Sequence, residues 1–104
     1  MQIVSRRTLK QFWDAHPQAA KPMSAWASVV ANAEWSGPGD VKAEFGRNVD
    51  FLEDNRAVFD ISGNKFRIVA RINYRFKAVM IKFVGTHAEY SKIDAATIGR
   101  PGQM

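Results

Sequence analysis

Basic residues recur two or four residues apart in the second half of the chain, at Lys65, Arg67, Arg71 and Arg75. If residues 65–75 form a strand, these side chains share one face, since alternate residues of a strand point to opposite faces. His87 and Tyr90 follow closely in sequence. A row of cations beside an imidazole and a phenol is suited to a polyanion, and the chemistry that it indicates is reaction at a phosphate.

The composition limits the class of protein. The 104 residues are enough for one domain, and 46% of them are hydrophobic, so the chain can bury a core without covalent support. Cysteine is absent, which excludes disulfides, thiolate zinc sites and a cysteine nucleophile. No run approaches the roughly 18 apolar residues of a membrane span. We expect a soluble cytoplasmic protein with no membrane partner.

Charge is distributed unevenly along the chain, whose net charge is +5. Residues 34–60 contain seven acids and three bases, whereas residues 62–92 contain seven bases and one acid, Glu89. A basic patch confined to one part of a fold is typical of a protein that binds nucleic acid or an acidic protein. A solvated strand face is the alternative explanation.

Strict alternation predicts two long strands after residue 64. Apolar side chains occupy every second position from Phe66 to Tyr74, and the following run alternates Val79, Ile81 and Phe83 with Ala78, Met80, Lys82 and Val84. A third strand is predicted over residues 56–61, and residues 2–4 are a candidate edge strand. These strands form a small antiparallel sheet.

Helical spacing of apolar residues predicts two helices near the N-terminus. The first follows Ser5 and carries Leu9, Phe12 and Trp13 on one stripe, and the second begins at Pro22. Trp26 and Trp35 are predicted to be core. A short helix follows Asp40, and a terminal helix is predicted from Thr86 or His87 to about Ala96.

Together these elements predict one α+β domain over residues 1–104, with about residues 97–104 as a flexible tail. Two N-terminal helices pack on one face of the small antiparallel sheet, and a short helix lies near the C-terminus. The opposite face of the sheet is predicted to be cationic and open, with Arg67 exposed on it.

Two segments resemble the HigB toxins of bacterial type II toxin–antitoxin systems, which belong to the RelE/ParE superfamily. They are FxISGNKFRIVARINY (59–74) and IKFVGTHAEYSKIDA (81–95), behind a two-helix N-terminus and a VKAEF-type short helix. The similarity covers nearly the whole chain. Family members usually have Asp after the Tyr of the second motif, where this chain has Ser91.

The resemblance implies a RelE-like fold and ribosome-associated cleavage of mRNA that inhibits translation in the bacterial cytoplasm. It also implies neutralisation by a HigA-type helix-turn-helix antitoxin. The toxin would associate with operator DNA only indirectly, through this antitoxin. The resemblance thus implies an endoribonuclease, and the residues favour a metal-independent mechanism for it, because His16 and His87 are isolated and no carboxylate cluster accompanies them. No cofactor is expected.

Metal-free cleavage of RNA needs a base for the 2′-hydroxyl, donors for the charge on the phosphate oxygens and an acid for the leaving 5′-oxygen. We assign transition-state charge to Arg67, acid or base catalysis to His87, and base stacking or proton transfer to Tyr90. The remaining cations are assigned to RNA and phosphate binding: Lys65, Arg71, Arg75, Lys77 and Lys82. A non-functional explanation is open for each of these residues. The cations would be solvated surface residues, His87 a polar residue at a helix start, and Tyr90 a packed tyrosine.

Two other functions fit parts of the pattern. A RelE/ParE-fold toxin that acts on a protein such as DNA gyrase would use the basic face for docking. A non-catalytic RNA-binding module would need the charges but not His87. The THAEY segment argues against the first, because the gyrase-directed branch lacks this His and Tyr set.

Overall fold

The computed structural model describes residues 1–100 of the chain. The elements follow in the order β1 (Gln2–Val4), α1 (Arg6–Ala15), α2 (Pro17–Asn32), α3 (Pro38–Phe45), a 3-10 helix (Gly46–Asn48), β2 (Val49–Phe51), β3 (Arg56–Ile61), β4 (Phe66–Asn73), β5 (Ala78–Thr86) and α4 (His87–Tyr90). This confirms the predicted α+β class. In this part of the chain no helix is long and apolar enough to cross a membrane.

The five strands form one sheet in the order β1-β5-β4-β3-β2. The three long strands are antiparallel, as predicted, and β1 is an edge strand. However, β1 pairs parallel to β5, so the sheet is mixed. β1 precedes the two helices in sequence and β5 follows them, so a long connection separates the two strands. Parallel strands require such a connection.

The second helix begins earlier than predicted. It starts at Pro17, directly after His16, and Pro22 lies inside it. Pro17 fits the first helical position because that residue has no intrahelical amide partner to lose. Pro22 lacks the amide that would donate to the carbonyl of Gln18, and the helix continues past this missing bond to Asn32.

The first face of the sheet carries the hydrophobic core. Leu9 of α1 and Met23, Trp26 and Val30 of α2 pack with the inward residues of β3, β4 and β5. Trp26 and Trp35 are both buried, which confirms the prediction that they belong to the core. Trp26 meets Phe59 of β3 edge to face, with ring centroids 5.1 Å apart.

A β-bulge interrupts the last strand. Val69 of β4 pairs with Phe83 but the next residue, Ala70, pairs with Ile81, so Lys82 is an extra residue on β5. An extra residue exchanges the two faces of a strand beyond it. Phe83 therefore lies on the second face, and the prediction that it shares a face with Val79 and Ile81 was wrong.

The second face of the sheet is not open, which corrects the sequence prediction. Arg56 is 1% exposed, and Val58 and Val69 are also buried there. Residues beyond α4 return over this face, where the Arg56 guanidinium donates to the carbonyls of Ala95 (3.0 Å) and Ile98 (2.6 Å). Burial lowers the pKa of Arg56, an effect that the nearby Asp54 opposes.

The terminal helix is a single turn rather than a helix to Ala96. It ends at Tyr90, and the Asp94 side chain accepts from the amide of Ala96 (3.1 Å), a local turn that competes with helix. Of the predicted flexible tail, residues 97–100 are described and include Ile98, which binds Arg56. Residues 101–104 lie outside the described part.

Candidate active site

Arg67 is held by its neighbours rather than exposed as predicted. It is 7% exposed, and its register partner across the hairpin is Asp60 of β3. Its Nε lies 3.0 Å from Asp60 Oδ1, Nη1 donates to the carbonyl of Phe66 (3.2 Å), and Nη2 donates to the side chain of Asn64. Three of the five N–H groups are thus engaged, which fixes the plane of the guanidinium and leaves two uncommitted within residues 1–100.

Tyr90 adjoins this guanidinium. The Arg67 Cζ lies 5.7 Å from the centre of the Tyr90 ring, and the ring of Phe83 lies 6.4 Å from it on the same side of the sheet. The bulge at Lys82 is what turns Phe83 towards Tyr90. The half-buried phenol therefore has a defined position beside the charge of Arg67.

His87 opens α4 and is exposed. Its backbone amide donates to the carbonyl of Lys65 (2.9 Å), which ties the start of the helix to the start of β4. Thr86 and Glu89 form a capping box, with Thr86 Oγ1 accepting from the Glu89 amide (3.1 Å) and Glu89 Oε1 accepting from the Thr86 amide (2.8 Å). Because His87 and Tyr90 are three residues apart on one turn, both face the same side.

Ser91 follows Tyr90 at the end of α4. Its hydroxyl donates to the carbonyl of His87 (3.0 Å), and its amide donates to the same carbonyl (3.1 Å). Ser91 therefore closes the last turn of α4 behind the imidazole, and the helix forms without a carboxylate at this position.

The structure does not gather all the predicted cations. Lys65 lies at the same end of the hairpin as Arg67, His87 and Tyr90, whereas the other four do not join that group. Arg71 pairs with Asp54 (Nη2 to Oδ1, 3.3 Å), Arg75 lies over the ring of Phe76 (5.5 Å), Lys77 donates to the carbonyl of Trp35 (2.9 Å), and Lys82 occupies the bulge.

The opposite end of the hairpin has a different chemistry. Arg75 and Lys77 lie in the β4–β5 turn, about 25 Å from Thr86 at the usual rise of a strand. Burial, and after it the charge of Asp40, raises the pKa of Tyr74 at this end. The predicted continuous row of cations is therefore not observed. Lys65 and Arg67 lie at one end of the hairpin, and the other cations are separate from them.

Asp60, Asn64 and Phe83 are site residues that the sequence analysis missed. Asp60 could have been found by counting back across the hairpin from Arg67, because strand pairs carry opposite charges on one face. Asn64 lies in the GN-x-x-R segment, whose spacing places the amide three residues before the guanidinium that it binds. Phe83 gave no such signal, because the bulge is not visible in the alternation.

This geometry suits the stabilisation of negative charge. A guanidinium fixed by a carboxylate, an amide and a carbonyl needs no reorganisation when charge develops on a phosphate. The phenol lies beside it and the exposed imidazole lies at the same end of the hairpin, and both carry exchangeable protons. Within residues 1–100, no three His, Asp or Glu side chains come together as a potential metal centre.

Comparisons with known proteins agree with the motifs. The profile of the HigB toxin family, the RelE-like toxic component of a toxin–antitoxin system, matches residues 19–93. The mRNA interferase HigB of Escherichia coli O6:H1 strain CFT073 is 28% identical over 94 residues, which are 89% of this chain and 91% of that protein. The mRNA interferase toxin HigB of Escherichia coli K12 is 29% identical over 92 residues, 86% of this chain and 88% of the relative.

Proposed function

The chain belongs to the HigB toxin family, the toxic component of a toxin–antitoxin system, and on that premise we propose that it is an endoribonuclease that cleaves mRNA. The relatives of similar length are named mRNA interferases, which supports this activity. The observation that carries the proposal is the fixed guanidinium of Arg67 beside Tyr90, at the strand end where the exposed His87 begins its helix.

The reaction is transesterification by the RNA itself. The 2′-oxygen bonds to the adjacent phosphorus and loses its proton to a base, while the bond from phosphorus to the 5′-oxygen breaks and that oxygen gains a proton from an acid. The products are a 2′,3′-cyclic phosphate and a 5′-hydroxyl. No oxidant, reductant or second substrate enters the balance.

Each residue has a role in this step. Arg67 donates its two uncommitted N–H groups to the non-bridging oxygens, where charge accumulates. His87 acts as the general acid or base, a role for which imidazole is the usual side chain. Tyr90 stacks on a base or shares the proton transfer, and Lys65 positions a neighbouring phosphate.

The biological setting follows the family. The toxin would act on mRNA at the ribosome in the bacterial cytoplasm, without a metal ion, and would be silenced by a HigA-type helix-turn-helix antitoxin. The remaining cations (Arg71, Arg75, Lys77 and Lys82) would contact phosphates of the mRNA or of ribosomal RNA by charge alone, outside the reacting group.

The experiment is the end chemistry of cleaved mRNA, with and without EDTA. Purified toxin and programmed ribosomes should yield 3′ ends with a phosphate or cyclic phosphate, at a rate that EDTA leaves unchanged. A 3′-hydroxyl product that requires Mg²⁺ would reject the roles of Arg67, His87 and Tyr90. RNA binding without any cleavage would instead favour the non-catalytic module.

A further inference from the structure

Arg67 has different chemical groups on its two sides. Its strand β4 lies between β3 and β5 in the sheet. On the β5 side, Tyr90 of α4 lies beside the guanidinium, and His87 begins the same helical turn directly after β5. On the β3 side, the register partner of Arg67 is Asp60. The guanidinium thus has a phenol and an imidazole on one side and a carboxylate on the other.

The Asp60 carboxylate is anchored through one oxygen. Its Oδ1 lies 3.0 Å from Arg67 Nε, whereas Oδ2 makes no hydrogen bond within residues 1–100, and the side chain is 25% exposed. The neighbouring strand β2 pairs with β3 only as far as Phe59, so no strand of the described chain lies outside Asp60. One carboxylate oxygen is therefore fixed, and the other is free to accept a hydrogen bond on a side chain that solvent reaches.

Attack by a 2′-hydroxyl makes separate demands on the two sides of the phosphate. The attacking 2′-oxygen and the leaving 5′-oxygen lie roughly in line, on opposite sides of the phosphorus. The base that takes one proton and the acid that supplies the other must therefore approach from different sides. His87 and Tyr90 share one helical turn and face the same way, so they suit one of these sides. The carboxylate lies across the guanidinium from them, on the side that the second role requires.

We infer that Asp60 is a catalytic residue, the general base for the 2′-hydroxyl, and that His87 is the general acid. Asp60 Oδ2 takes the proton of the 2′-oxygen as that oxygen bonds to phosphorus. His87 protonates the 5′-oxygen as its bond to phosphorus breaks. Asp60 gains one proton and His87 loses one, and exchange with solvent restores both. This inference rests on the proposed function and deepens it, because it separates the two proton transfers.

The pair with Arg67 brings the carboxylate next to the reacting group. Arg67 would hold the non-bridging oxygens with N–H groups of the same planar guanidinium that binds Oδ1 of Asp60. A phosphate bound there lies beside Asp60, and the 2′-hydroxyl belongs to the ribose attached to that phosphate. A general base must be within hydrogen-bond reach of the proton that it takes, and the shared guanidinium supplies that proximity.

The alternative role for Asp60 is to orient Arg67 and nothing more. That role needs one oxygen that accepts from Nε, which an amide oxygen supplies as well as a carboxylate does. The catalytic role needs an oxygen that takes a proton, which an amide does not do. Asp60→Asn therefore keeps the orientation of Arg67 and removes the base.

The first experiment compares Asp60→Asn with Asp54→Asn in single-turnover cleavage of mRNA on saturating ribosomes. Asp54 is the matched control, because it also pairs with an arginine of β4, Arg71, at 3.3 Å. Asp60→Asn should cleave on the order of 10²-fold more slowly, with no fall in ribosome affinity, since it removes a negative charge. Asp54→Asn should keep the wild-type rate. Urea unfolding establishes that both variants are folded, and a wild-type rate in folded Asp60→Asn would overturn the inference.

The second experiment identifies the side of the phosphate that Asp60 serves. An mRNA with sulfur in place of the 5′-oxygen at the cut site releases a thiolate, which leaves without being protonated, so its cleavage needs no acid. This substrate should restore the rate of His87→Ala towards that of wild type and should leave Asp60→Asn on the order of 10²-fold slower. Restoration of Asp60→Asn, or an equal defect of the two variants, would overturn the inference.

The failure of this inference differs from the failure of the proposed function. Wild-type toxin that leaves cyclic phosphate ends, with Asp60→Asn equally fast, would reject Asp60 as the base and leave the proposed function intact. Wild-type toxin that cleaves neither the ordinary mRNA nor the sulfur-containing mRNA would reject the proposed function itself.

Discussion

Each end of the β4–β5 hairpin carries an arginine guanidinium over an aromatic ring, but the surroundings of the two pairs differ. Arg67 lies 5.7 Å from the Tyr90 ring centre at one end, and Arg75 lies 5.5 Å from the Phe76 ring centre at the other. Arg67 is 7% exposed and bound on three nitrogens, whereas Phe76 is 72% exposed in a turn.

The comparison teaches that residue type does not by itself define a catalytic site. A guanidinium in water reorients and keeps its hydration, so its attraction for a phosphate is weak and sensitive to salt. A guanidinium fixed by Asp60, Asn64 and a carbonyl presents its remaining donors in one direction. We therefore expect the first end to control reaction rate and the second to contribute to affinity.

The largest expected effect is that of Arg67→Ala. Removing a preorganised donor should lower the cleavage rate about 10²- to 10³-fold. Asp60 also loses its partner, so the free energy of unfolding should fall by about 1–3 kcal/mol. Urea unfolding followed by circular dichroism gives the stability, and rates are measured where both proteins are folded.

Arg67→Lys serves as its control, since lysine keeps the charge but not the planar fork. It should preserve more stability than alanine while still cleaving at least tenfold more slowly than wild type, by the usual effect of losing one oriented donor. A folded Arg67→Ala protein with the wild-type rate would contradict the comparison.

His87→Ala should follow, with a loss of on the order of 10²-fold in cleavage rate. Ribosome affinity and stability should change little, because His87 is exposed and one imidazole adds little to an interface based on several Lys and Arg side chains. Single-turnover kinetics at saturating ribosome separates the two quantities. A loss of affinity with an unchanged rate would assign His87 to binding.

Gly85→Ala should lower the cleavage rate by a smaller factor, about 10-fold, because it displaces site residues without removing any of them. A Cβ on Gly85 would lie 2.5 Å from Phe83 Cζ, so the Phe83 ring must move and Tyr90 beside it must adjust. Gly39→Ala is the matched control, because a Cβ there meets nothing within 4 Å. Equal rates for the two variants would show that the position of Phe83 is unimportant.

Arg75→Ala should have the smallest effect. If Arg75 neutralises one phosphate, the slope of log affinity against log salt should decrease by about one, with no change in the rate at saturation. Titrations at several salt concentrations measure the slope. A rate loss as large as that of Arg67→Ala would remove the distinction between the two ends.

Local patterns predicted most of the elements. Alternation identified β3, β4 and β5, and the stripe of Leu9, Phe12 and Trp13 identified α1, because each pattern is set by the geometry of its own element. The order along the chain also placed Arg67, His87 and Tyr90 at the same end of the β4–β5 hairpin, since β5 returns beside β4 and ends in α4.

The failures concern contacts between distant segments. Arg67 was predicted to be exposed because it is charged, but its burial depends on Asp60 and Asn64, which belong to another strand and a loop. The bulge at Lys82 depends on how β5 aligns with β4, and alternation within one strand carries no information on it. Coverage of the second face depends on a segment about 40 residues away from Arg56.

The contact of Arg56 with the last described segment has a consequence for the order of folding. All five strands are complete once residue 86 has been synthesised, whereas the carbonyls that bind Arg56 belong to residues 95 and 98. These two contacts can therefore form only after the residues of the whole sheet have been synthesised. A chain truncated before residue 95 keeps every strand but leaves the Arg56 guanidinium without these acceptors, and because a buried cation without partners is costly, we expect such a chain to be less stable and more readily cleaved by proteases.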